Sequence, residues 1–306
     1  MIVVAGPTGS GKTELAAALA RELGGEVVSA DSRQVYRELD AATAKPSAAL
    51  RAEIPHHLID CADPAETYDA GRFLREARAA IAEIRARARA VVVCGGTGLY
   101  LRALTEGLAP LPPADPSLRA RLNELARTRG REVLHEELAR LDPAAAMSIP
   151  AGNIQRLVRA LEVTRLTGRP ISELWARGRE GGMRPDAVLI LTWPPAALAE
   201  RLDARARAMW PALLDELEAL VPARFRGDEP GLSSLGYPQA LAVLRGELSS
   251  EDGLAEFQRA TRAYAKRQRT WFRGQLKGAA IDACESPART LALARAALAG
   301  AAGARA

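Results

Sequence analysis

Apolar positions in the first hundred residues alternate between short continuous runs and longer segments with helical spacing. The run at 2–5 is β-branched and ends at a glycine, which predicts a buried strand. Helical spacing over 12–23 ends at a pair of glycines, a common C-terminal signal. Further strands are predicted at 26–30, 57–60 and 90–94, with a long helix at 70–89. Strands that are apolar on both faces and alternate with helices are typical of a parallel sheet covered by helices.

The pattern changes after a proline-rich break at 108–113. Only helices are predicted from 116 to about 179, whereas 187–193 is again an apolar strand that leads into a helix. A helix over most of 249–277, a short strand at 280–282 and a closing helix complete the pattern. The simplest organisation is an α/β core formed by 1–109 and 186–306, interrupted by an all-helical insertion domain at 110–185.

Composition supports an ordinary globular protein. The chain has 306 residues, of which 48% are hydrophobic and 26% charged, and this excludes disordered, collagen-like and coiled-coil classes. The net charge is +5, and only four of the 42 basic residues are lysines. Coding bias explains most of that arginine excess, whereas a phosphate-rich partner is the functional alternative because arginine matches phosphate bidentately. The small net charge does not decide between them.

Cysteine, histidine and the N-terminal sequence exclude several other classes. Three cysteines lie far apart in the chain, so neither a disulfide framework nor zinc-ligand spacing is visible. His56-His57 precedes two apolar residues and favours the start of a strand over a metal-ligand pair. The chain shows no secretory signal pattern and no stretch of about 18 apolar residues. We therefore expect a cytoplasmic protein, monomeric and without a membrane partner.

The strongest chemical motif is GPTGSGKT at 6–13, which fits the complete P-loop pattern between a predicted strand and a predicted helix. Glycines let backbone N–H groups surround phosphate oxygens, and the following helix directs its positive end to the same place. The motif is typical of ATP-binding and other nucleotide-binding proteins, but it does not specify which molecule carries the phosphates. The predicted phosphate-binding residues are Gly6, Pro7, Thr8, Gly9, Ser10, Gly11, Lys12 and Thr13, with Thr13 also a candidate ligand of Mg²⁺.

Two further motifs follow predicted strands and therefore lie at the same edge of the sheet. DSRQVY at 31–36 begins with Asp31, which can act as a general base, hold Mg²⁺ through water, or cap a helix. GGTGLY at 95–100 offers two glycines for close ligand approach and the Thr97 hydroxyl, although a plain strand-to-helix turn has the same appearance. In open α/β sheets, ligands bind beyond the carboxyl ends of the strands.

Basic residues follow one face of the predicted helix over 249–277. They recur at steps of three and four, and only Glu256 offsets them nearby; they are Arg259, Arg262, Lys266, Arg269 and Arg273. A second stripe is predicted to face the core and contains Phe257, Tyr264, Gln268 and Trp271. A solvated basic face is the usual interpretation, but sustained charge of one sign is also typical of nucleic-acid backbone binding.

The helical insertion contains a second basic segment, QRLVRALEV at 155–163. Helical spacing predicts that Ile154, Leu157 and Leu161 face inward, which leaves Gln155, Arg156 and Arg159 facing outward. Arg201 and Arg205 lie one turn apart on the helix after the strand at 187–193 and are candidates to reach the phosphate site.

Together these segments resemble the bacterial tRNA dimethylallyltransferase family over nearly the whole chain. The most specific of them are DSRQVY at 31–36 and ATRAYAKRQRTWFR at 260–273. Two departures are Pro238, where a charged residue is common, and Asn153-Ile154, which replaces a more usual Asp-Pro. These departures affect the expected fine contacts with RNA rather than the reaction.

The resemblance implies a P-loop NTPase-like core and transfer of a dimethylallyl group from dimethylallyl diphosphate to N6 of adenosine-37 in tRNA, with Mg²⁺ as cofactor. It implies that Asp31 is the base, that Thr97 lies near N6, and that Arg205 binds diphosphate, with Arg201 as the fallback. It also implies tRNA contacts by Asp31, Ser32, Arg33, Gln34, Thr97, Arg119, Gln155, Arg156, Leu157, Val158 and Arg159, to which the basic helix adds Arg262, Lys266 and Arg269.

Three other functions remain open from the residues alone. A P-loop kinase accounts for the loop and Asp31 but gives the basic helix no role. An enzyme that prenylates free adenine nucleotide accounts for the site but not for the insertion arginines. A non-catalytic RNA-binding module does not need a complete P-loop.

Overall fold

The computed structural model describes residues 1–303, with the side chains of Pro222 and Ala302 outside the description. The chain divides into two compact units: residues 1–105 together with the described residues from Met183 onward, and Glu106–Gly182. The smaller unit begins and ends slightly earlier than the predicted insertion at 110–185. Leu108 and Glu180 explain the difference, because they exchange backbone hydrogen bonds of 3.0 and 2.9 Å within that unit. The last three residues of the predicted core, 304–306, lie outside the described residues.

The larger unit is built on one sheet of six parallel strands in residues 1–303. The strand order is β3-β2-β4-β1-β5-β6, so the first strand lies near the middle. The strands are β1 (Ile2–Ala5), β2 (Glu26–Ser29), β3 (His56–His57), β4 (Val91–Gly95), β5 (Ala187–Thr192) and β6 (Ala279–Asp282). The predicted α/β fold, a P-loop NTPase-like parallel sheet flanked by helices, is confirmed.

Helices of the larger unit cover this sheet and extend beyond it. They are α1 (Lys12–Glu22), α2 (Ala48–Glu53), α3 (Ala70–Ala86), α4 (Gly98–Glu106), α10 (Pro195–Ala223), α11 (Tyr237–Leu244), α12 (Ser250–Gln275) and α13 (Pro287–Gly303). Strands β1, β2 and β4 are almost wholly buried, and α1 and α13 pack on one another beside them. Helices α10, α11 and α12 pack mutually, with Trp210 against Phe257. None of the helices in residues 1–303 combines the length and apolar composition needed to cross a membrane.

One predicted strand is much shorter than expected. The prediction at 57–60 corresponds to β3, which ends at His57 because Leu58 and Asp60 adopt left-handed backbone angles, with φ of 62° and 54°. The Lys45 ammonium then binds Asp60 and the carbonyl of Tyr36, at 2.5 and 2.7 Å. These bonds shape the chain between β2 and β3 as an ordered loop.

The smaller unit is helical from 116 to 176, as predicted. It contains α5 (Pro116–Arg129), α6 (Glu132–Leu141), α7 (Pro143–Ser148), α8 (Ile154–Thr167) and α9 (Ile171–Ala176) around a core of leucine, alanine and valine side chains. Its polar centre is the fully buried Glu162, which binds Arg119 at 2.9 Å and Arg159 at 2.5 Å. Paired charges are needed here because an unpaired buried carboxylate is costly.

Candidate active site

A cavity of about 580 Å³ lies within the larger unit, beyond the carboxyl ends of β1, β2 and β4. Its sheet side carries Thr8, Lys12, Asp31 and Thr97, and α10 and α12 form the opposite wall. Parallel strands bring these chain segments together because their carboxyl ends share one edge of the sheet. The three motifs that sequence alone placed at this edge therefore line one cavity.

The P-loop has the backbone needed to surround phosphate. Gly9 and Gly11 adopt φ of 77° and 88°, a left-handed conformation that glycine tolerates without strain. Gly11 precedes the first residue of α1, and the Lys12 ammonium donates to the carbonyl of Pro7 at 2.7 Å. Burial lowers the pKa of Lys12 below its ordinary value, and the nearby Asp31 carboxylate opposes that shift. An anionic ligand in the cavity would therefore stabilise the charged form of Lys12.

Arg205, but not Arg201, reaches the cavity. Arg205 Nη2 donates to Thr8 Oγ1 at 3.3 Å, and burial followed by the charge of Arg201 lowers the pKa of Arg205. Arg201 is exposed, donates to the Gly9 carbonyl at 2.8 Å and lies over the Trp193 ring. Arg205 can thus bind an anion in the cavity, whereas Arg201 supports the outer side of the loop.

Asp31 and Thr97 face the cavity from neighbouring strand ends. Asp31 Oδ1 accepts a hydrogen bond from the backbone N–H of Arg33 at 2.9 Å, and Thr97 Oγ1 accepts one from the N–H of Ser32 at 2.9 Å. The helix-cap alternative for Asp31 is wrong, since only turns follow it and α2 starts at Ala48. A carboxylate and a hydroxyl are therefore held side by side by the backbone of one turn.

The residues after Asp31 separate into two roles. Ser32 and Arg33 line the cavity, and Arg33 Nη1 donates to Ser233 Oγ at 3.1 Å. Gln34 instead joins chain segments, because its amide accepts from Ser29 Oγ at 3.0 Å and donates to the Ala44 carbonyl at 2.9 Å. Gln34 therefore shapes the loop, and its implied tRNA contact stays a prediction.

The second stripe of α12 faces inward, as predicted, but it lines the cavity as well as packing into the core. Tyr264, Gln268 and Trp271 all border the open space, and Arg267 lies beside them. Burial, followed by the charge of Asp31, raises the pKa of Tyr264 to about 12. The spacing of these residues marks a shared helix face, but spacing does not distinguish a packed core from a lined cavity.

The basic stripe of α12 is less continuous than predicted. Arg259 binds Glu256 at 3.1 Å, and Arg262 binds Asp203 of α10 at 2.5 Å, a partner distant in sequence. Lys266, Arg269 and Arg273 make no ion pair within the described part of the chain. These three cations are therefore the part of the stripe best suited to a phosphate backbone.

In the smaller unit, the residues expected to contact RNA also differ in their exposure and in their partners. Gln155 and Arg156 are exposed, as predicted, whereas the side chains of Leu157 and Val158 are buried in the core and cannot offer a surface contact. Ile154 is 37% exposed, so its predicted inward orientation is wrong. Arg119 and Arg159 are bound to Glu162, and Arg159 also donates to the Pro112 carbonyl at 2.7 Å. Both arginines thus stabilise this unit.

Oxygen atoms at the start of α1 and at the strand end after β2 are candidate ligands for a hard cation. Thr13 lies half-buried in the first turn of α1, and Asp31 is close enough to Lys12 to affect its pKa. Among the described residues, no three histidine, cysteine, aspartate or glutamate side chains form a group that could hold a metal. A hydroxyl and one carboxylate fit Mg²⁺, which commonly takes few protein ligands and completes its shell with water and substrate phosphates.

Known proteins of one family are similar to this chain over nearly its whole length. The sequence model of the IPP transferase family matches residues 34–275, and that of isopentenyl transferase matches residues 1–60. A tRNA dimethylallyltransferase of Anaeromyxobacter sp. (strain K) is 52% identical over 275 residues, which cover 89% of this chain and 90% of that relative.

Two solved structures share the fold. The full-length tRNA isopentenylpyrophosphate transferase of Bacillus halodurans is 32% identical, with a TM-score of 0.68 over 99% of this chain and 98% of that chain. A eukaryotic dimethylallyltransferase described as acting on tRNA is 28% identical, with a TM-score of 0.77 over 93% of this chain and 74% of that chain.

Proposed function

This chain belongs to the IPP transferase family, and on that premise we propose that it transfers a dimethylallyl group from dimethylallyl diphosphate to N6 of adenosine-37 in tRNA. The observation that carries the proposal is a single cavity with a phosphate loop at one side, a carboxylate and a hydroxyl at another, and apolar side chains beyond. Prenyl transfer to tRNA needs these three environments in one cavity, so that N6 of the acceptor can approach C1 of the donor. We propose that it acts as a monomer in the cytoplasm.

The P-loop side suits the leaving group. As the C1–O bond of dimethylallyl diphosphate breaks, the electron pair goes to the diphosphate oxygen. The P-loop residues Thr8 and Lys12 and the Arg205 guanidinium line the part of the cavity where this charge would develop. Fixed donors of this kind stabilise a transition state by several kcal/mol.

The Thr13 hydroxyl in the first turn of α1 would hold Mg²⁺ beside the diphosphate, with water and diphosphate oxygens as its other ligands. The bound ion would neutralise phosphate charge in the ground state and in the transition state. We propose Mg²⁺ as the cofactor on this donor set.

The strand-end side suits the acceptor. The exocyclic N6 of adenine is a weak nucleophile because its lone pair is delocalised into the ring. Asp31 can accept the N6 proton as the N6–C1 bond forms, while the Thr97 hydroxyl, fixed by Ser32, can orient the amine. A base in an anticodon loop must be splayed out to enter such a cavity, as single-stranded RNA readers and base-modifying enzymes require.

The cavity wall beyond Arg205 suits the prenyl chain. Ala206 and Met209 follow Arg205 along the same face of α10, opposite Phe257 of α12 and beside Leu235. Met209 lies about 6 Å further along the helix axis than Arg205, given a rise of about 1.5 Å per residue. A five-carbon chain that starts at the diphosphate would therefore end near the Met209 side chain.

We expect Met209→Ala to relax selectivity for chain length. Shortening this side chain opens space at the end of the cavity, so the ratio of kcat/KM for geranyl diphosphate to that for dimethylallyl diphosphate should rise about tenfold. Steady-state kinetics with both donors and unmodified tRNA measures this ratio. Leu244→Ala removes an exposed apolar side chain from α11 and serves as the control. An equal loss of kcat/KM with both donors would contradict the proposal that the prenyl chain ends near Met209.

We expect the triple variant Lys266→Ala, Arg269→Ala, Arg273→Ala to weaken the binding of all tRNAs, whatever their sequence. Each lost phosphate contact should reduce the slope of log affinity against log salt by about 0.7–0.9. Binding titrations from low to moderate salt provide the slope. Arg259→Ala, whose guanidinium already binds Glu256, is the control and should change the slope less. An unchanged slope in the triple variant would identify this surface as merely solvated.

The overall proposal is tested with labelled dimethylallyl diphosphate and three acceptors. Unmodified tRNA should take up label, whereas tRNA with guanosine at position 37 and free AMP should not. Label on AMP would favour a nucleotide prenyltransferase. Absence of label from all three acceptors, together with sustained ATP turnover, would favour a kinase.

A further inference from the structure

Gln268 of α12 joins two parts of the cavity that act on different substrates. Its side chain is only 7% exposed, and both halves of its amide bind backbone atoms. Oε1 accepts a hydrogen bond from the N–H of Thr8 at 2.8 Å, and Nε2 donates one to the carbonyl of Gly96 at 2.8 Å. One acceptor and one donor of the same amide thus link the P-loop to the turn after β4.

The fit at this point depends on a glycine. A Cβ placed on Gly96 would lie 2.5 Å from Gln268 Nε2 and 3.6 Å from Lys12 Nζ. Any side chain at position 96 would therefore displace the amide from the carbonyl to which it donates. Gly96 and Gln268 are therefore in close contact at the centre of the site, and the contact requires a glycine at position 96.

Each backbone group that Gln268 binds is adjacent to a group with a role in the proposed reaction. Thr8 belongs to the loop that would bind diphosphate, and its hydroxyl accepts from Arg205. Gly96 precedes Thr97, whose hydroxyl binds the N–H of Ser32, the residue after Asp31. A continuous chain of short contacts therefore runs from the leaving-group side through Gln268 to the acceptor side.

We propose that Gln268 is a positioning residue that sets the separation between the diphosphate in the P-loop and the Asp31–Thr97 pair. The inference rests on the proposed function and adds a residue that sequence alone predicted to face the core. Transfer requires the N6 and C1 atoms to approach within about 3–3.5 Å in line with the breaking bond, and a misplacement of about 1 Å can cost 100-fold in rate. Gln268 acts through Thr8 and Gly96 rather than on the substrates.

The first test is Gln268→Met, which keeps length but can neither accept from Thr8 nor donate to Gly96. We expect kcat to fall about 100-fold while the KM values for tRNA and dimethylallyl diphosphate change less than threefold, because alignment is lost rather than affinity. Gln258→Met is the matched control, since Gln258 lies on the same helix and donates to the Asp203 carbonyl at 3.0 Å, away from the cavity. Wild-type activity in the same assay separates failure of this inference from failure of the proposed function.

The second test is Gln268→Glu, which has nearly the same shape. An ionised glutamate can still accept from Thr8 but cannot donate to Gly96, whereas a protonated one does both. We therefore expect its kcat, divided by that of wild type at each pH, to rise as pH falls. That division removes the pH dependence that both proteins share. The other titratable or charged side chains around the cavity are Lys12, Asp31, Arg33, Arg205, Tyr264 and Arg267.

The two variants decide the matter even if one is unstable. Should Gln268→Met unfold, as measured by thermal melting, the pH response of the isosteric Gln268→Glu remains the test. A kcat within threefold of wild type for Gln268→Met, an equal fall for Gln258→Met, or a flat pH ratio for Gln268→Glu would each overturn the assignment.

Discussion

Asp31→Asn is expected to lower kcat for tRNA prenylation by about 10²–10⁴-fold and to leave tRNA affinity within about twofold. Asparagine keeps the oxygen that accepts from the Arg33 N–H, so the turn after β2 should survive. It cannot accept the N6 proton, so positive charge would accumulate on N6 as the N6–C1 bond forms. Single-turnover rates with saturating enzyme, measured beside equilibrium tRNA binding, separate these two effects.

Asp282→Asn provides the matched control for this experiment. Asp282 also ends a strand, and its Oδ1 accepts from the backbone N–H of Cys284 at 2.9 Å, but it lies outside the cavity. Its substitution also replaces a turn carboxylate by an amide, but it leaves the cavity unchanged. The kcat should therefore remain near that of wild type. A parallel collapse of tRNA affinity in Asp31→Asn would show that Asp31 binds the acceptor instead of deprotonating it.

Local sequence patterns predicted the part of the site that one chain segment can build alone. The P-loop needs only glycines at left-handed positions, a lysine and a helix start, and all of these are contiguous in 6–13. The placement of Asp31 and Thr97 followed from a general property of parallel sheets, because both residues come directly after predicted strands. Arg205 was predictable only as one of two arginines one turn apart, and packing of α10 on the loop decided between them.

Contacts between distant segments were not predictable, and they changed the roles of several residues. Arg262 binds Asp203 from another helix, and Arg119 binds the buried Glu162, which lies 43 residues further along the chain. A count of nearby charges along the chain cannot reveal these partners. Gln268 and Tyr264 present a related difficulty, since the periodicity that buries a helix face is identical whether the face meets a core or a substrate cavity.

The geometry suggests how a loop typical of nucleotide-binding proteins can serve prenyl transfer. In phosphoryl transfer, the loop stabilises charge on the group that moves and on its leaving group. In prenyl transfer, the phosphorus atoms do not react, and the same donors act on a diphosphate that departs intact. The apolar side chains of Met209, Leu235 and Phe257 in the cavity lining suit a prenyl chain, which a phosphoryl-transfer site does not need.

Lys12→Met should therefore lower kcat/KM for dimethylallyl diphosphate by about 10²–10³-fold, equivalent to about 2.7–4 kcal/mol of transition-state stabilisation. We expect the buried ammonium to exchange the Pro7 carbonyl for the departing diphosphate, and methionine fills similar space without the charge. Arg85→Met, which removes an exposed cation from α3, controls for the change in net charge. Diphosphate should also lose much of its power to inhibit the variant, because it makes the same contact as the leaving group. Retained inhibition by diphosphate together with normal kcat/KM would place the leaving group away from the P-loop, and the assignment of the two sides of the cavity would have to be exchanged.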